Sequence, residues 1–226
     1  WLSSRFRPRA TLLTDSGTTA LTLAMRLAAP GRPVALPAYG CYDLATACDG
    51  AGVEVLLYDV DPATLGPDWN SLASALTQGA GAVVAVHLYG LPVDMARVRS
   101  LAVQHSAVVI EDAAQGIGGL FEGRPLGAHG DLAVLSFGRG KGLTAGGGGA
   151  LLAHTPEYAA RLMDLSLAAA GAHLSSVATT AMQWALGRPS LYWIPASVPF
   201  LGLGETVYHP AAPGQRLSRS GHGVLA

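Results

Sequence analysis

Val108-Val109-Ile110-Glu111-Asp112-Ala113-Ala114-Gln115 decides the fold. Its apolar, β-branched start is a strand buried in a sheet, and the strand ends in two acids. In open α/β sheets, ligands sit at the carboxyl ends of the strands. An acid there can pair with a ring nitrogen of a cofactor, or it can cap the turn that follows. From these residues alone both readings stand.

Outward from this segment, short apolar runs alternate with helical stretches. Strands are expected over 34–36, 53–58, 82–86, 107–110, 132–137 and 150–153. Helices are expected over 17–27, 42–48, 69–76 and 95–105, and again over 156–186 with a break near Gly171. Gly187 and Pro189 suit the end of that last helix. Buried strands separated by helices imply an α/β domain, a mostly parallel sheet between helices. No internal repeat is visible. Residues 1–188 read as one domain, and 189–226, with Pro195, Pro199, Pro210 and Pro213, as an irregular tail or the start of a connection to a further domain that is not there.

Composition narrows the class. The chain has 226 residues, of which 50% are hydrophobic and 13% charged, enough for a substantial core. A net charge of -1 with no basic patch gives no reason to expect nucleic acid. Cys41 and Cys48 flank an expected helix, so a disulfide is not expected and a reducing cytoplasm is the default. No signal peptide is read, and no metal is expected. The uncharged stretch 165–187 is long enough to span a bilayer. Ser, Thr, Gln and His run through it, so it reads as a buried or amphipathic helix and no membrane partner is expected.

Of the 14 basic residues, 13 are arginine and one is lysine, Lys141. Arginine supplies charge, but its guanidinium stays protonated, whereas a lysine amine can be deprotonated and attack a carbonyl. Lys141 closes Ser136-Phe137-Gly138-Arg139-Gly140-Lys141, a glycine-rich loop after an apolar strand. The bland alternative is a leftover surface lysine. Asp15-Ser16-Gly17-Thr18-Thr19-Ala20-Leu21 places small polar residues at a helix start. Free N–H groups and the helix dipole there suit a phosphate, with Thr18 and Thr19 as extra donors, although an ordinary N-cap has the same appearance.

Taken in order, these segments resemble the DegT/DnrJ/StrS family of pyridoxal-phosphate (PLP) sugar aminotransferases. The resemblance runs from about Thr14 to Ala153 and includes Val86-His87-Leu88-Tyr89-Gly90 followed by Pro92-Val93-Asp94-Met95. It implies the large domain of a fold-type I PLP-dependent aminotransferase. It further implies that Lys141 carries PLP as a Schiff base and acts in catalysis. Asp112 would pair with the pyridine nitrogen, and Gln115 would contact the ring hydroxyl. Thr18, Thr19 and Ser136 would bind the phosphate, with His87 supporting the strand end. The implied partners are a small-molecule amino donor, glutamate, and a keto acceptor on a nucleotide-linked sugar, in a homodimer.

The sequence also departs from the family. The small domain that follows the large one is expected to be missing. The asparagine that a neighbouring subunit contributes has no counterpart, since Asn70 is the only asparagine and lies elsewhere. Cys41 stands where an aromatic residue stacks on the cofactor, with Tyr39 and Tyr42 either side, and Gly147 replaces a glutamate. Two rival functions therefore stand beside transamination: a dehydratase or lyase on the same fold, and a degenerate non-catalytic homologue. Some relatives that dehydrate carry histidine in place of the lysine, so Lys141 argues for transamination, while the missing small domain supports degeneracy and the Lys141, Asp112 and Gln115 set opposes it.

Overall fold

A computed structural model of the chain describes residues 1–138, 140–143 and 147–165, together with 185, 188, 190 and 191. In chain order the elements are α1 (Leu2–Phe6), β1 (Ala10–Thr14), α2 (Gly17–Ala28), β2 (Val34–Pro37), α3 (Asp43–Ala51) and β3 (Val55–Tyr58). Then come α4 (Trp69–Thr77), β4 (Ala82–Val86), a 3₁₀ turn (Leu88–Gly90), α5 (Met95–Gln104) and β5 (Val108–Asp112). A small hairpin, β6 (Leu120–Phe121) and β7 (Arg124–Pro125), precedes β8 (Leu132–Ser136), β9 (Gly149–Ala153) and α6 (Pro156–Met163).

The main sheet has seven strands in the order β1-β9-β8-β5-β4-β2-β3. Every pairing is parallel except those of β9, which runs antiparallel to both β1 and β8. The expected mostly parallel sheet between helices is therefore what the chain forms.

Side chains alternate across the sheet, so each strand serves two cores. Val84, Val86 and Ile110 face the α2, α3 and α6 layer. Val83, Ala85 and Val109 face the α4 and α5 layer. A third cluster gathers α1 with Leu126, Leu135 and Phe137. Each fully buried Val, Leu or Ile stabilises the fold by about 1.5–3 kcal/mol relative to exposure. Ser16, Asp68, Asp94 and Thr155 cap α2, α4, α5 and α6 by accepting a backbone N–H three residues on. A cap of this kind contributes about 1 kcal/mol.

Several boundaries differ from the sequence reading. β5 continues through Glu111 and Asp112, because both acids are buried in the sheet rather than released to a turn. The expected helix over 42–48 runs Asp43–Ala51, ending where Gly52 takes up the left-handed conformation. α1, β1 and the β6–β7 hairpin were not legible, since β1 is defined by its pairing with the distant β9. The helical expectation from 166 onward and the tail expectation for 189–226 fall almost wholly outside the described residues. Among the described residues, no helix is long and apolar enough to cross a membrane.

Candidate active site

The carboxyl ends of β1, β5 and β8 and the start of α2 surround a cavity of about 540 Å³. All six residues singled out from the sequence, Thr18, Thr19, Asp112, Gln115, Ser136 and Lys141, line it. They come from three separate parts of the chain, so the sheet topology assembles the site.

The α2 end is built by close approach. Ser16 Oγ accepts from Thr19 N at 3.0 Å, so the ordinary N-cap is present. That cap satisfies one helix-start donor and leaves the first N–H groups of α2 directed at the cavity end. Thr14 Oγ1 donates to Ser16 O at 2.8 Å and fixes the entry to the helix. A Cβ on Gly17 would lie 2.8 Å from Ser136 Cβ, so glycine is what lets β8 and α2 converge. A Cβ on Gly149 would lie 2.6 Å from Ser16 O and 2.7 Å from Gly17 N, so β9 presses against the same turn. N–H groups, the helix dipole and the hydroxyls of Thr18, Thr19 and Ser136 thus form a donor-rich cradle for a dianion.

Asp112 is buried at the end of β5, and its Oδ1 accepts from Ala114 N at 2.9 Å. Burial pushes its carboxyl above the ordinary range. The Ala114 hydrogen bond and the positive charge of Lys141 pull the other way, and Asp43 adds to the rise. A cationic N–H in the cavity would be a strong partner for such a carboxylate.

Gln115 is oriented by its neighbour. Its Oε1 accepts from Tyr89 N at 2.6 Å, which leaves the amide Nε2 to donate into the cavity. Gln115 therefore suits an oxygen acceptor on a ligand. Tyr89 holds a left-handed φ of 54°, uncommon for a bulky residue, and this hydrogen bond helps hold it there.

Lys141 follows β8 in the glycine-rich loop, half-buried, and its backbone N–H donates to Gly138 O at 3.3 Å. Its side chain forms no ion pair among the described residues. Its charge is felt at Asp112 and at Cys41. Cys41 and Tyr42 line the cavity, whereas Tyr39 turns away, 53% exposed, with its hydroxyl 2.7 Å from that of Tyr89. Of the two tyrosines flanking Cys41, only Tyr42 reaches the site. Asp43, also in the wall, went unnoticed in the sequence. Its place at the start of α3 behind a buried strand was the available signal.

His87 does not line the cavity. It is buried, with Nε2 3.0 Å from Glu111 Oε1, in the supporting place expected for it.

The residues present fit PLP. A phosphate matches the α2 cradle, a protonated pyridine nitrogen matches Asp112, a ring oxygen matches Gln115, and an aldehyde is a group that a lysine amine such as that of Lys141 can attack.

Comparison with known proteins agrees with this geometry. The DegT/DnrJ/EryC1/StrS aminotransferase family matches residues 6–182. The chain is 36% identical over 153 residues to the L-glutamine:2-deoxy-scyllo-inosose aminotransferase of Streptomyces kanamyceticus, covering 67% of this chain and 36% of the relative. It is 37% identical over 139 residues to the UDP-N-acetyl-3-dehydro-alpha-D-glucosamine 3-aminotransferase of Acidithiobacillus ferrooxidans, covering 61% of this chain and 38% of the relative. Among solved structures, NtdA from Bacillus subtilis, with the cofactor PMP bound, matches with a TM-score of 0.64 and 32% identity, over 70% of this chain and 36% of that one. The chain thus spans well under half the length of these relatives. Sheet order, the convergence of three segments on one cavity and the match over 6–182 together place the chain in the DegT/DnrJ/EryC1/StrS aminotransferase family.

Proposed function

We propose that this chain is the cofactor-binding part of a PLP-dependent aminotransferase. It moves an amino group from glutamate or glutamine to a keto group of a nucleotide-linked sugar. The observation that carries the reading is the assembly of Lys141, Asp112, Gln115 and the α2 cradle around one cavity. The name of the Acidithiobacillus relative supports a nucleotide-linked keto sugar as acceptor. The name of the Streptomyces relative supports a second acceptor class, a keto-cyclitol, and glutamine as donor. Homodimer formation belongs to the same proposal.

PLP, the cofactor of this family, supplies an aldehyde for the amine and an electron-withdrawing ring. The rest is the work of the chain. The N-terminus of α2, with Thr18, Thr19 and Ser136, holds the phosphate and fixes the register of the ring. Asp112 holds a proton on the ring nitrogen, which strengthens electron withdrawal. Gln115 Nε2 donates to the ring oxygen. Lys141 is the amine that would hold the cofactor's aldehyde carbon. Its Nζ, when not so engaged, would be the base placed to move the proton of the donor Cα. Retention of this amine favours transamination over dehydration.

The purified chain, loaded with PLP, tests the reading. Addition of glutamate or glutamine is expected to convert the aldehyde form to PMP, and a nucleotide-linked keto sugar to reverse the change. PLP bound at Lys141 with no conversion by any amino donor would overturn transamination by this chain.

A further inference from the structure

Glu111 and His87 form a fully buried pair on the face of the sheet opposite the cavity. Asp112 shares the α2 face with Ile110, whereas Glu111 shares the α5 face with Val109. Both side chains of the pair have 0% exposure. Glu111 Oε1 receives His87 Nε2 at 3.0 Å and Gly127 N at 2.6 Å. Its Oε2 receives His129 N at 2.6 Å and Gly130 N at 2.8 Å. Burial raises the Glu111 carboxyl, but the hydrogen bond from His87 and the N–H groups of Gly127 and His129 outweigh it, so the group lies below its ordinary value. A carboxylate with four fixed donors is a rigid joint.

The other ring nitrogen of His87 completes the chain of contacts. Nδ1 accepts from Val93 N at 3.1 Å, so Nε2 carries the proton donated to Glu111. The His87 backbone N–H donates to Asp112 O at 3.1 Å. Two residues further on, Tyr89 N donates to the Gln115 side chain. One buried pair is therefore tied to both polar groups that meet the cofactor ring, directly at the Asp112 backbone and through the 3₁₀ turn at Gln115.

We infer that His87 and Glu111 are a positioning pair that sets Asp112 and Gln115 against the cofactor ring without touching it. The inference rests on the PLP reading above. Without His87, Glu111 keeps its backbone donors but the turn after β4 loses its anchor, Tyr89 N drifts, and Gln115 loses its orientation.

The test uses the whole chain with PLP as the probe. His87→Phe keeps a flat ring but removes the donor to Glu111 and the acceptor for Val93. His87→Gln restores one of each. In His87→Phe, PLP is expected to bind about tenfold or more weakly, the size of effect seen when a supporting shell is loosened. The pH at which the bound cofactor changes its visible absorption is expected to move. In the cofactor-free protein, the Tyr89 amide is expected to exchange hydrogen faster while the β8 amides do not. His87→Gln is expected to recover most of the PLP affinity. If His87→Phe fails to fold, His87→Asn, whose side chain is too short to reach Glu111, is read on the same measurements. A folded variant with wild-type PLP affinity and an unmoved absorption midpoint overturns the inference alone. A wild-type chain that does not bind PLP overturns the cofactor reading and this inference with it.

Discussion

Gly149→Ala strikes a place where the sheet and the phosphate cradle touch backbone to backbone. The added Cβ would lie 2.6 Å from Ser16 O and 2.7 Å from both Gly17 N and Ser16 C. None of these atoms belongs to a side chain that can rotate aside. Relief requires either β9 to withdraw from its ladders with β1 and β8 or the start of α2 to shift. Overpacking of this kind costs about 1–3 kcal/mol. For a chain of this size that is a fall in Tm of about 2–12 °C. The same shift spoils the aim of the α2 N–H groups, so PLP affinity is expected to fall as well. Gly66→Ala serves as the control, because its Cβ would have only Thr64 Oγ1 nearby, at an ordinary 3.5 Å. Thermal unfolding and PLP titration of the three proteins decide the matter. A Gly149→Ala protein with the Tm of the control and the PLP affinity of the wild type would refute the close-approach argument.

Two further outcomes follow from buried titratable groups. Burial holds His129 and His154 below their ordinary values, so the unfolded chain takes up protons below about pH 6.5 that the folded chain does not. Stability is therefore expected to fall as pH drops from 7 to 5.5 in denaturant titrations, and His154→Gln is expected to flatten the fall. Asp112, raised by burial, acts in the opposite direction, and a flat wild-type profile that His154→Gln leaves unchanged would contradict the assignment. Burial pushes the Cys48 thiol up to about 11, and Cys41 is raised too, but Cys41 lies in the cavity wall. A thiol reagent is expected to label Cys41 in the folded protein, with PLP protecting it, and Cys48 only after unfolding. Equal labelling of both in the folded state would contradict this placement.

Legibility in the sequence tracked how local each signal was. The strand 82–86 and the helix 69–76 were readable because their apolar periodicity is carried by adjacent residues. β1 was not, because Thr11 is exposed and its strand character comes from pairing with residues far along the chain. The reversed direction of β9 is likewise a tertiary fact that no local pattern encodes. In the site, Lys141 stood out through composition, and Thr18, Thr19, Asp112, Gln115 and Ser136 through ordered short motifs. Glu111 was noticed only as a second acid. The period-2 alternation that puts it with Val109 on the α5 face was available, but its four donors come from His87 and a loop nearly twenty residues on. Asp43 escaped because a carboxylate at the start of a helix has an everyday explanation.

Borohydride reduction of the PLP-loaded chain, followed by peptide mapping, tests the central claim most directly. The expected result is a single cofactor adduct on Lys141, absent from Lys141→Ala, which still folds. A folded wild-type chain that yields no adduct, or one carried by another amine, would contradict it.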